Sequence, residues 1–320
     1  MEQLPLIAIV GPTAVGKTAL SIELAQHYDG EIISGDSMQV YRGMDIGTAK
    51  ITADETQGIP HHMIDILDPD QESTALSFKN RAQTAIEEIA GRGHVPMLVG
   101  GTGLYVNGLL YDYSFTGERN DDYRNKLFDA LKSGEDTSSY QRLLALRPDL
   151  KDVIHEKDHF RIARALEIIE TEGKDQLKNF DMKANYQSPY RLCLIGLTMD
   201  RAKLYERINR RVDLMLENGL LEEVEKLLQQ GYNKEMQSLK AIGYKEMIAY
   251  LQGELSYEAA VSLLKKNTRH FAKRQLTWFR RDPNLKWFHV DEMDHETLLA
   301  RTIEYADQCL GLNEERGDGH

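Results

Sequence analysis

Short apolar runs alternate with helical patterns over the first hundred residues. Four runs predict extended segments: 6–10, 31–34, 62–66 and 96–99. Apolar residues at helical spacing predict a helix over 19–28 and a second helix that begins after an N-cap at Ser77. Because strands that alternate with helices form a parallel sheet covered on both faces, the pattern predicts an α/β fold. Ligands of such sheets bind outside the carboxyl ends of the strands.

The strand pattern stops between residues 114 and 189. Helical spacing takes its place in three segments: 120–132, 139–146 and 158–172. A strand pattern returns at 191–197, so the sheet resumes there. We therefore predict one α/β unit made of residues 1–113 and 190–320, interrupted by an all-helical insertion domain, residues 114–189.

The C-terminal part is predicted to be mostly helical. Two helices and one last strand are indicated by the spacing: 204–217, 220–230 and 286–290. Leu264, Phe271 and Trp278 recur every seven residues and give a long helix one apolar seam. Burial habits favour core packing of the two aromatic residues over stacking on bases.

The loop between the first strand and the first helix has the spacing of a phosphate-binding loop, G-x-x-x-x-G-K-[ST]. It reads Gly11-Pro12-Thr13-Ala14-Val15-Gly16-Lys17-Thr18. In the order strand, loop and helix, the loop amides and the helix N-terminus converge on an anion. Lys17 is expected to reach the outer phosphate, and the Thr18 hydroxyl to hold Mg²⁺.

A second signature of nucleoside triphosphate hydrolysis is missing. Proteins with this loop normally carry an apolar strand that ends in Asp and orients Mg²⁺. The apolar strand 96–99 runs instead into Gly100-Gly101-Thr102, and only the short run before Asp36 leads to an acid. The loop is therefore expected to hold a polyphosphate whose anhydride bond is not cut.

Composition and charge narrow the class of protein. Two cysteines among 320 residues are too few for a disulfide framework, and no apolar run approaches the ~20 residues that span a membrane. With no signal peptide visible, we expect a cytoplasmic protein that does not contact membranes. The net charge of −12 argues against indiscriminate nucleic-acid binding. Seven Lys/Arg and no acid between residues 265 and 281 nevertheless predict a local basic surface.

Several blocks resemble the tRNA dimethylallyltransferase (isopentenyltransferase) family, over residues 6 to about 285. Besides the phosphate loop, the matching blocks are Ser34-Gly35-Asp36-Ser37-Met38-Gln39-Val40-Tyr41-Arg42-Gly43-Met44-Asp45-Ile46-Gly47-Thr48-Ala49-Lys50, Pro60-His61-His62-Met63-Ile64-Asp65-Ile66, Gly100-Gly101-Thr102-Gly103-Leu104-Tyr105 and Lys273-Arg274-Gln275-Leu276-Thr277-Trp278. The length resembles that of bacterial members, and the C-terminal zinc finger of some eukaryotic members is lacking. Val15 stands where the family often has Ser, but backbone amides bind phosphate there.

The resemblance implies a P-loop NTPase-like core and a prenyl transfer. The dimethylallyl group of dimethylallyl diphosphate would pass to the exocyclic N6 amine of the adenosine 3′-adjacent to the anticodon in tRNA, with Mg²⁺ as cofactor. Asp36 is the expected base for the amine proton. Lys17, Thr102 and Arg211 are expected around the bridging oxygen of the leaving diphosphate, with Mg²⁺ on Thr18. A monomer is expected.

Contacts with the tRNA anticodon stem-loop are expected from the resemblance and from the basic stretches. The residues are Asp36, Ser37, Met38, Gln39, Arg161, Arg164, Gly243, Tyr244, Lys245, Lys273, Arg274, Gln275, Trp278 and Arg280. Asp36 to Gln39 correspond to the block that grips the flipped adenine in the family. Arg161 and Arg164 lie on the predicted insertion domain, and the last five lie in or beside the basic helix.

Two other enzyme classes stay open on the sequence. One is a P-loop prenyltransferase that acts on free adenine nucleotide, and the other is a small-molecule P-loop kinase. The helical insertion and the basic helix argue against the nucleotide enzyme, because a free nucleotide requires neither. A pure RNA-binding module is disfavoured, since it would not need Lys17 and Thr18 in a phosphate loop.

Overall fold

A computed structural model describes residues 3–113, 115, 120–173, 177 and 186–312 of the protein. The chain divides into two compact units, one made of residues 1–112 and 186–320 and the other of residues 113–185. Among the described residues, each helix is too short or too polar to span a lipid bilayer.

The first unit contains a six-stranded sheet in which every strand pair is parallel. Its strands are β1 (Pro5–Val10), β2 (Gly30–Gly35), β3 (His61–His62), β4 (Val95–Gly100), β5 (Arg191–Thr198) and β6 (Lys286–His289). They lie in the order β3-β2-β4-β1-β5-β6. This arrangement confirms the predicted α/β fold.

Eight α-helices of this unit are described. They are α1 (Lys17–Tyr28), α2 (Ala75–Gly91), α3 (Gly103–Leu110), α7 (Arg201–Glu217), α8 (Leu220–Gln229), α9 (Tyr244–Leu251), α10 (Tyr257–Phe279) and α11 (His295–Leu310). Residues 6–10 of β1 are fully buried, because neighbouring strands and helices on both faces cover this strand.

The strand register brings three carboxyl ends to one edge of the sheet. Val10 of β1 lies opposite Gly100 of β4, and Gly100 lies opposite Gly35 of β2. A Cβ on Gly100 would lie 2.5 Å from the carbonyl oxygen of Gly35, so only glycine allows this approach. The phosphate loop, Asp36 and Thr102 all follow these ends.

Two local predictions are wrong. The extended run 62–66 is reduced to the strand His61–His62, since Met63 and Asp65 have φ of 65° and 54°, outside the extended region. The N-cap of α2 is Thr74 rather than Ser77. The Thr74 side chain accepts a hydrogen bond from Ser77 N, and Ser77 Oγ accepts one from Thr74 N, each at 3.0 Å.

The second unit contains three described α-helices: α4 (Asp121–Ser133), α5 (Ser139–Leu146) and α6 (His159–Glu172). The side chains of Asn120 and Asp158 cap α4 and α6 by accepting backbone N–H groups. Leu131, Leu143 and Leu166 belong to its separate apolar core. The domain boundary predicted at 113/114 falls on a segment in which residue 114 lies outside the described residues.

Candidate functional site at the phosphate loop

The backbone of residues 11–18 is shaped for close approach to an anion. Gly11 has φ of 148°, and a Cβ there would lie 2.5 Å from the carbonyl oxygen of Leu197. Gly16, with φ of 109°, precedes the first residue of α1. The N-terminus of α1, whose first amides have no partner within the helix, therefore follows the loop directly, as in an anion site.

Lys17 begins α1 and folds back over this loop. Its Nζ donates hydrogen bonds to the carbonyl oxygens of Gly11, at 3.0 Å, and of Pro12, at 2.8 Å. The pKa of Lys17 is lowered to about 7, chiefly by burial and also by the charge of Arg211, while the charge of Asp36 opposes both effects. Since burial disfavours the ammonium form of Lys17, an anion placed beside it would stabilise that form strongly.

Two arginines of α7 approach the same loop. Arg211 donates from Nη1 to Thr13 Oγ1 at 3.3 Å, and Arg207, one turn earlier on the same face, is exposed. A Cβ on Gly16 would lie 3.9 Å from Nη2 of Arg207. Burial lowers the pKa of Arg211, and the charge of Arg207 adds to this effect. Lys17, Arg207 and Arg211 thus form one cationic group around the loop, suited to a ligand of several negative charges.

Asp36 and Thr102 lie side by side past the ends of β2 and β4. Asp36 accepts a hydrogen bond from Met38 N at 2.8 Å. Thr102 Oγ1 accepts from Ser37 N at 3.1 Å and donates to Ser37 Oγ at 3.3 Å. Burial raises the pKa of Asp36, although the Met38 amide and the Lys17 charge oppose that rise. A carboxylate with a raised pKa is a better proton acceptor.

Thr18 is the loop side chain predicted to hold Mg²⁺. Its side chain is exposed in the first turn of α1, beside Lys17. Among the described residues, no group of three or more His, Cys, Asp or Glu could hold a metal ion. Mg²⁺ binds oxygen, keeps several waters and is commonly shared with substrate phosphates. The donor set therefore fits an ion that arrives with a polyphosphate and is held by the Thr18 hydroxyl.

The basic helix α10 presents cations to solvent. Lys265 pairs with Asp213 at 2.5 Å, and Arg269 donates to Asn209 at 2.6 Å. The other cations of the stretch are exposed, with no ion pair or hydrogen bond of their side chains among the described residues: Lys266, Lys273, Arg274, Arg280 and Arg281. Leu264 of the predicted seam is buried, whereas Phe271 and Trp278 are half-buried.

The remaining residues expected at tRNA are partly engaged within the protein. Lys245 is exposed, but Tyr244 is fully buried, and Gly243 N donates to Glu246 at 2.8 Å. In the second unit, Arg161 donates to a backbone carbonyl and Arg164 pairs with the buried Glu167.

The family model for IPP transferase matches residues 39–282 of the chain. This match covers more than half of the sequence. The chain belongs to the IPP transferase family.

Relatives of the IPP transferase family match over nearly the whole length. A tRNA dimethylallyltransferase of Halalkalibacterium halodurans is 49% identical over 92% of this chain and 94% of that protein. The solved structure of a full-length tRNA isopentenylpyrophosphate transferase from Bacillus halodurans has a TM-score of 0.73 and 45% identity, covering 97% of this chain and 99% of that one. A eukaryotic dimethylallyltransferase acting on tRNA has a TM-score of 0.73 and 30% identity over 91% of this chain and 75% of that chain.

In this member of the IPP transferase family, Gln275 is bound within the protein. Its side chain is 5% exposed, accepts from Thr13 N at 2.9 Å and donates to the carbonyl oxygen of Gly101 at 3.0 Å. Gln275 therefore joins the phosphate loop to the β4–α3 turn. The tRNA contacts predicted for Gln275 and for the buried Tyr244 stay predictions.

Proposed function

We propose that this enzyme transfers the dimethylallyl group of dimethylallyl diphosphate to the exocyclic N6 amine of the adenosine 3′-adjacent to the anticodon in tRNA. Similar proteins carry the name tRNA dimethylallyltransferase, and family membership supports the same activity here. The observation that carries the proposal is the convergence of Lys17 and Arg211 with Asp36 and Thr102 at one edge of the sheet. Cations for a leaving diphosphate thus adjoin a carboxylate for the amine.

The donor is proposed to bind with its diphosphate in the loop 11–18. Loop amides, Lys17, Arg207 and Arg211 supply positive charge, which is what a diphosphate requires. Mg²⁺, held by the Thr18 hydroxyl, would spread the charge of the leaving group when bound. β4 ends at Gly100 and is followed by Gly101 and Thr102, so this strand does not lead to an Asp that would orient an ion for cutting an anhydride bond.

The proposed transfer forms one bond and breaks one. The adenosine nitrogen attacks the allylic carbon, the bond from that carbon to the diphosphate oxygen breaks, and diphosphate leaves. The nitrogen gives its proton to the Asp36 carboxylate. Negative charge grows on the bridging oxygen, and Lys17, Arg211 and the Thr102 hydroxyl are the groups proposed to stabilise it.

The proposed acceptor is a tRNA bound by one protein chain. The exposed cations of α10 suit a backbone of many phosphates, which a free nucleotide does not offer. The insertion unit, residues 113–185, is proposed as a further tRNA contact.

Incubation with labelled dimethylallyl diphosphate, bulk tRNA and Mg²⁺, followed by nucleoside analysis, tests the proposal. Label in N6-modified adenosine is expected with the native chain and none with Lys17→Ala. AMP replaces tRNA in a second arm, and excess ATP is added in a third. Equal prenylation of AMP would support the nucleotide enzyme instead. Strong tRNA-stimulated ATP turnover would support a phosphoryl transferase.

A further inference from the structure

One carboxylate holds the segment 45–50, which follows the block predicted to bind adenosine. Glu223 lies in the first turn of α8, and its Oε2 accepts from Asp45 N at 2.9 Å and from Ile46 N at 2.8 Å. Its Oε1 accepts from Gly47 N at 3.1 Å and from the Tyr244 hydroxyl at 2.6 Å. Four donors therefore converge on one charged side chain, which makes these hydrogen bonds stronger than neutral ones.

Packing fixes the same segment from its sides. A Cβ on Gly47 would lie 2.5 Å from the ring of Tyr244, which is fully buried, so the tyrosine ring lies directly against the backbone. Lys50 Nζ donates to the carbonyl oxygen of Tyr41 at 2.8 Å and pairs with Asp65 at 2.6 Å. The conformation of segment 45–50 is thus set by contacts with α8, α9, the preceding loop at Tyr41 and the later residue Asp65.

A chain of hydrogen bonds leads from this segment to Asp36. Gln39 Nε2 donates to the carbonyl oxygens of Thr48 and Ala49, each at 3.3 Å. Gln39 Oε1 accepts from Ser34 Oγ at 2.9 Å, and that hydroxyl accepts from Asp36 N at 3.4 Å. A shift of segment 45–50 would therefore move Gln39 and loosen the end of β2 that carries Asp36.

We propose that Glu223 is a positioning residue for the acceptor half of the reaction. It holds segment 45–50 so that Gln39 and Asp36 keep the orientation in which the carboxylate meets the adenosine amine. The inference rests on the proposed function, because it assigns a role within that reaction. The donor half should not depend on Glu223, since none of its hydrogen-bond partners belongs to the loop 11–18.

The test compares Glu223→Gln with Glu222→Gln. Both acids lie in the first turn of α8, but Glu222 is exposed and makes no hydrogen bond or ion pair among the described residues. The matched control therefore loses the same favourable charge at the helix N-terminus. Glutamine at 223 keeps the shape but places an NH₂ group where one carboxylate oxygen accepts two donors. Because small displacements of reacting groups cost up to about a hundredfold, we expect the single-turnover rate to fall by about 10–100-fold.

Two measurements, the affinity for dimethylallyl diphosphate and the melting temperature, distinguish a positioning role of Glu223 from damage to the fold. Glu223→Gln should bind the donor within about twofold of the native chain and melt close to Glu222→Gln. Tyr244→Phe, which removes one of the four donors and keeps the ring, should lower the rate in the same direction by less. If Glu223→Gln does not fold, Tyr244→Phe takes its place in the comparison with Glu222→Gln.

Two results would overturn the positioning role. One is a single-turnover rate for Glu223→Gln or Tyr244→Phe equal to that of Glu222→Gln. The other is a loss of donor affinity as large as the loss of rate. The native chain is assayed in parallel, so absence of any transfer in it would refute the proposed function itself, and the positioning role with it.

Discussion

At the scale of single residues, two ionisable groups next to each other at the site have shifted pKa values in opposite senses. Burial raises the pKa of Asp36 and lowers that of Lys17 to about 7. Each shift disfavours the charged form of the group, and a bound substrate relieves this in both cases. The diphosphate stabilises the ammonium of Lys17, and the proton of the amine neutralises the carboxylate of Asp36.

Asp36→Asn tests the base. Asparagine keeps the oxygen that accepts from Met38 N but cannot take a proton, so the single-turnover rate should fall by at least ~10²-fold. Donor affinity should not change, since the phosphates bind in the loop 11–18. In the native chain the rate should fall as the pH drops through the raised pKa of Asp36, because only the carboxylate accepts the proton. A near-native rate in Asp36→Asn would leave Asp36 only a structural role.

Lys17 links donor binding to proton uptake. Its pKa of about 7 means that the amine is largely neutral above pH 7 in the free protein, and a bound diphosphate favours the ammonium. Above pH 7 the donor Kd should therefore rise by up to about tenfold per pH unit, whereas below pH 7 Lys17 adds no further dependence. Calorimetry in two buffers of different ionisation enthalpy measures the uptake. Lys17→Met is the control, because the diphosphate it binds titrates in the same way. Proton uptake by this variant equal to that of the native chain would refute the assignment of the uptake to Lys17.

The sequence predicts these residues because their roles depend on neighbours in the chain. The spacing of Gly16, Lys17 and Thr18 fixes a loop between a strand and a helix, and Asp36 follows a strand directly. The role of Gln275 could not be derived in this way, since its partner Thr13 lies 262 residues away. One signal in the sequence could have indicated this role of Gln275. It lies at helical spacing between Ala272 and Phe279, which are buried on α10, and a polar residue on a buried face needs hydrogen-bond partners.

At the scale of elements, strands and helices were predicted well and their ends less well. The predicted helix 139–146 agrees with α5, because its ends coincide with clear polar links. The run 62–66 was wrongly predicted as extended, because apolar alternation does not register the positive φ at Met63 and Asp65. Both errors in the first unit concern connections, where local hydrogen bonding decides the backbone.

The tie that Gln275 makes between α10 and the loop predicts a joint effect on stability and donor binding. Gln275→Leu would leave Thr13 N and the Gly101 carbonyl without their partner, which costs ~1–3 kcal/mol for the buried carbonyl and less for the part-buried N–H. The melting temperature should fall, and donor affinity should weaken because the loop loses its support. Gln308→Leu on α11 is the matched control, since Gln308 is exposed and its side chain makes no hydrogen bond among the described residues. Equal melting temperatures of the two variants would contradict this role.

At the scale of the whole molecule, charge is divided unevenly. The chain carries −12 overall, yet α10 and the residues that follow it expose five cations. The net charge repels nucleic acid at a distance, so binding must come from the local basic surface. A tRNA that covers this surface releases the counterions condensed on its phosphates. A free nucleotide has too few phosphates for the same effect.

Salt dependence therefore distinguishes the two acceptors. The logarithm of the tRNA association constant should fall linearly with the logarithm of salt concentration, with a slope of several units. Replacing Lys273 and Arg274 together by Gln should reduce the magnitude of that slope by about 1.4–1.8, since each phosphate contact contributes about 0.7–0.9. Donor affinity should not change. The pair Lys286→Gln and Arg301→Gln removes two exposed cations from β6 and α11 and serves as the control. If both double variants keep the native slope, the basic face of α10 does not contact tRNA, and the acceptor must be bound elsewhere.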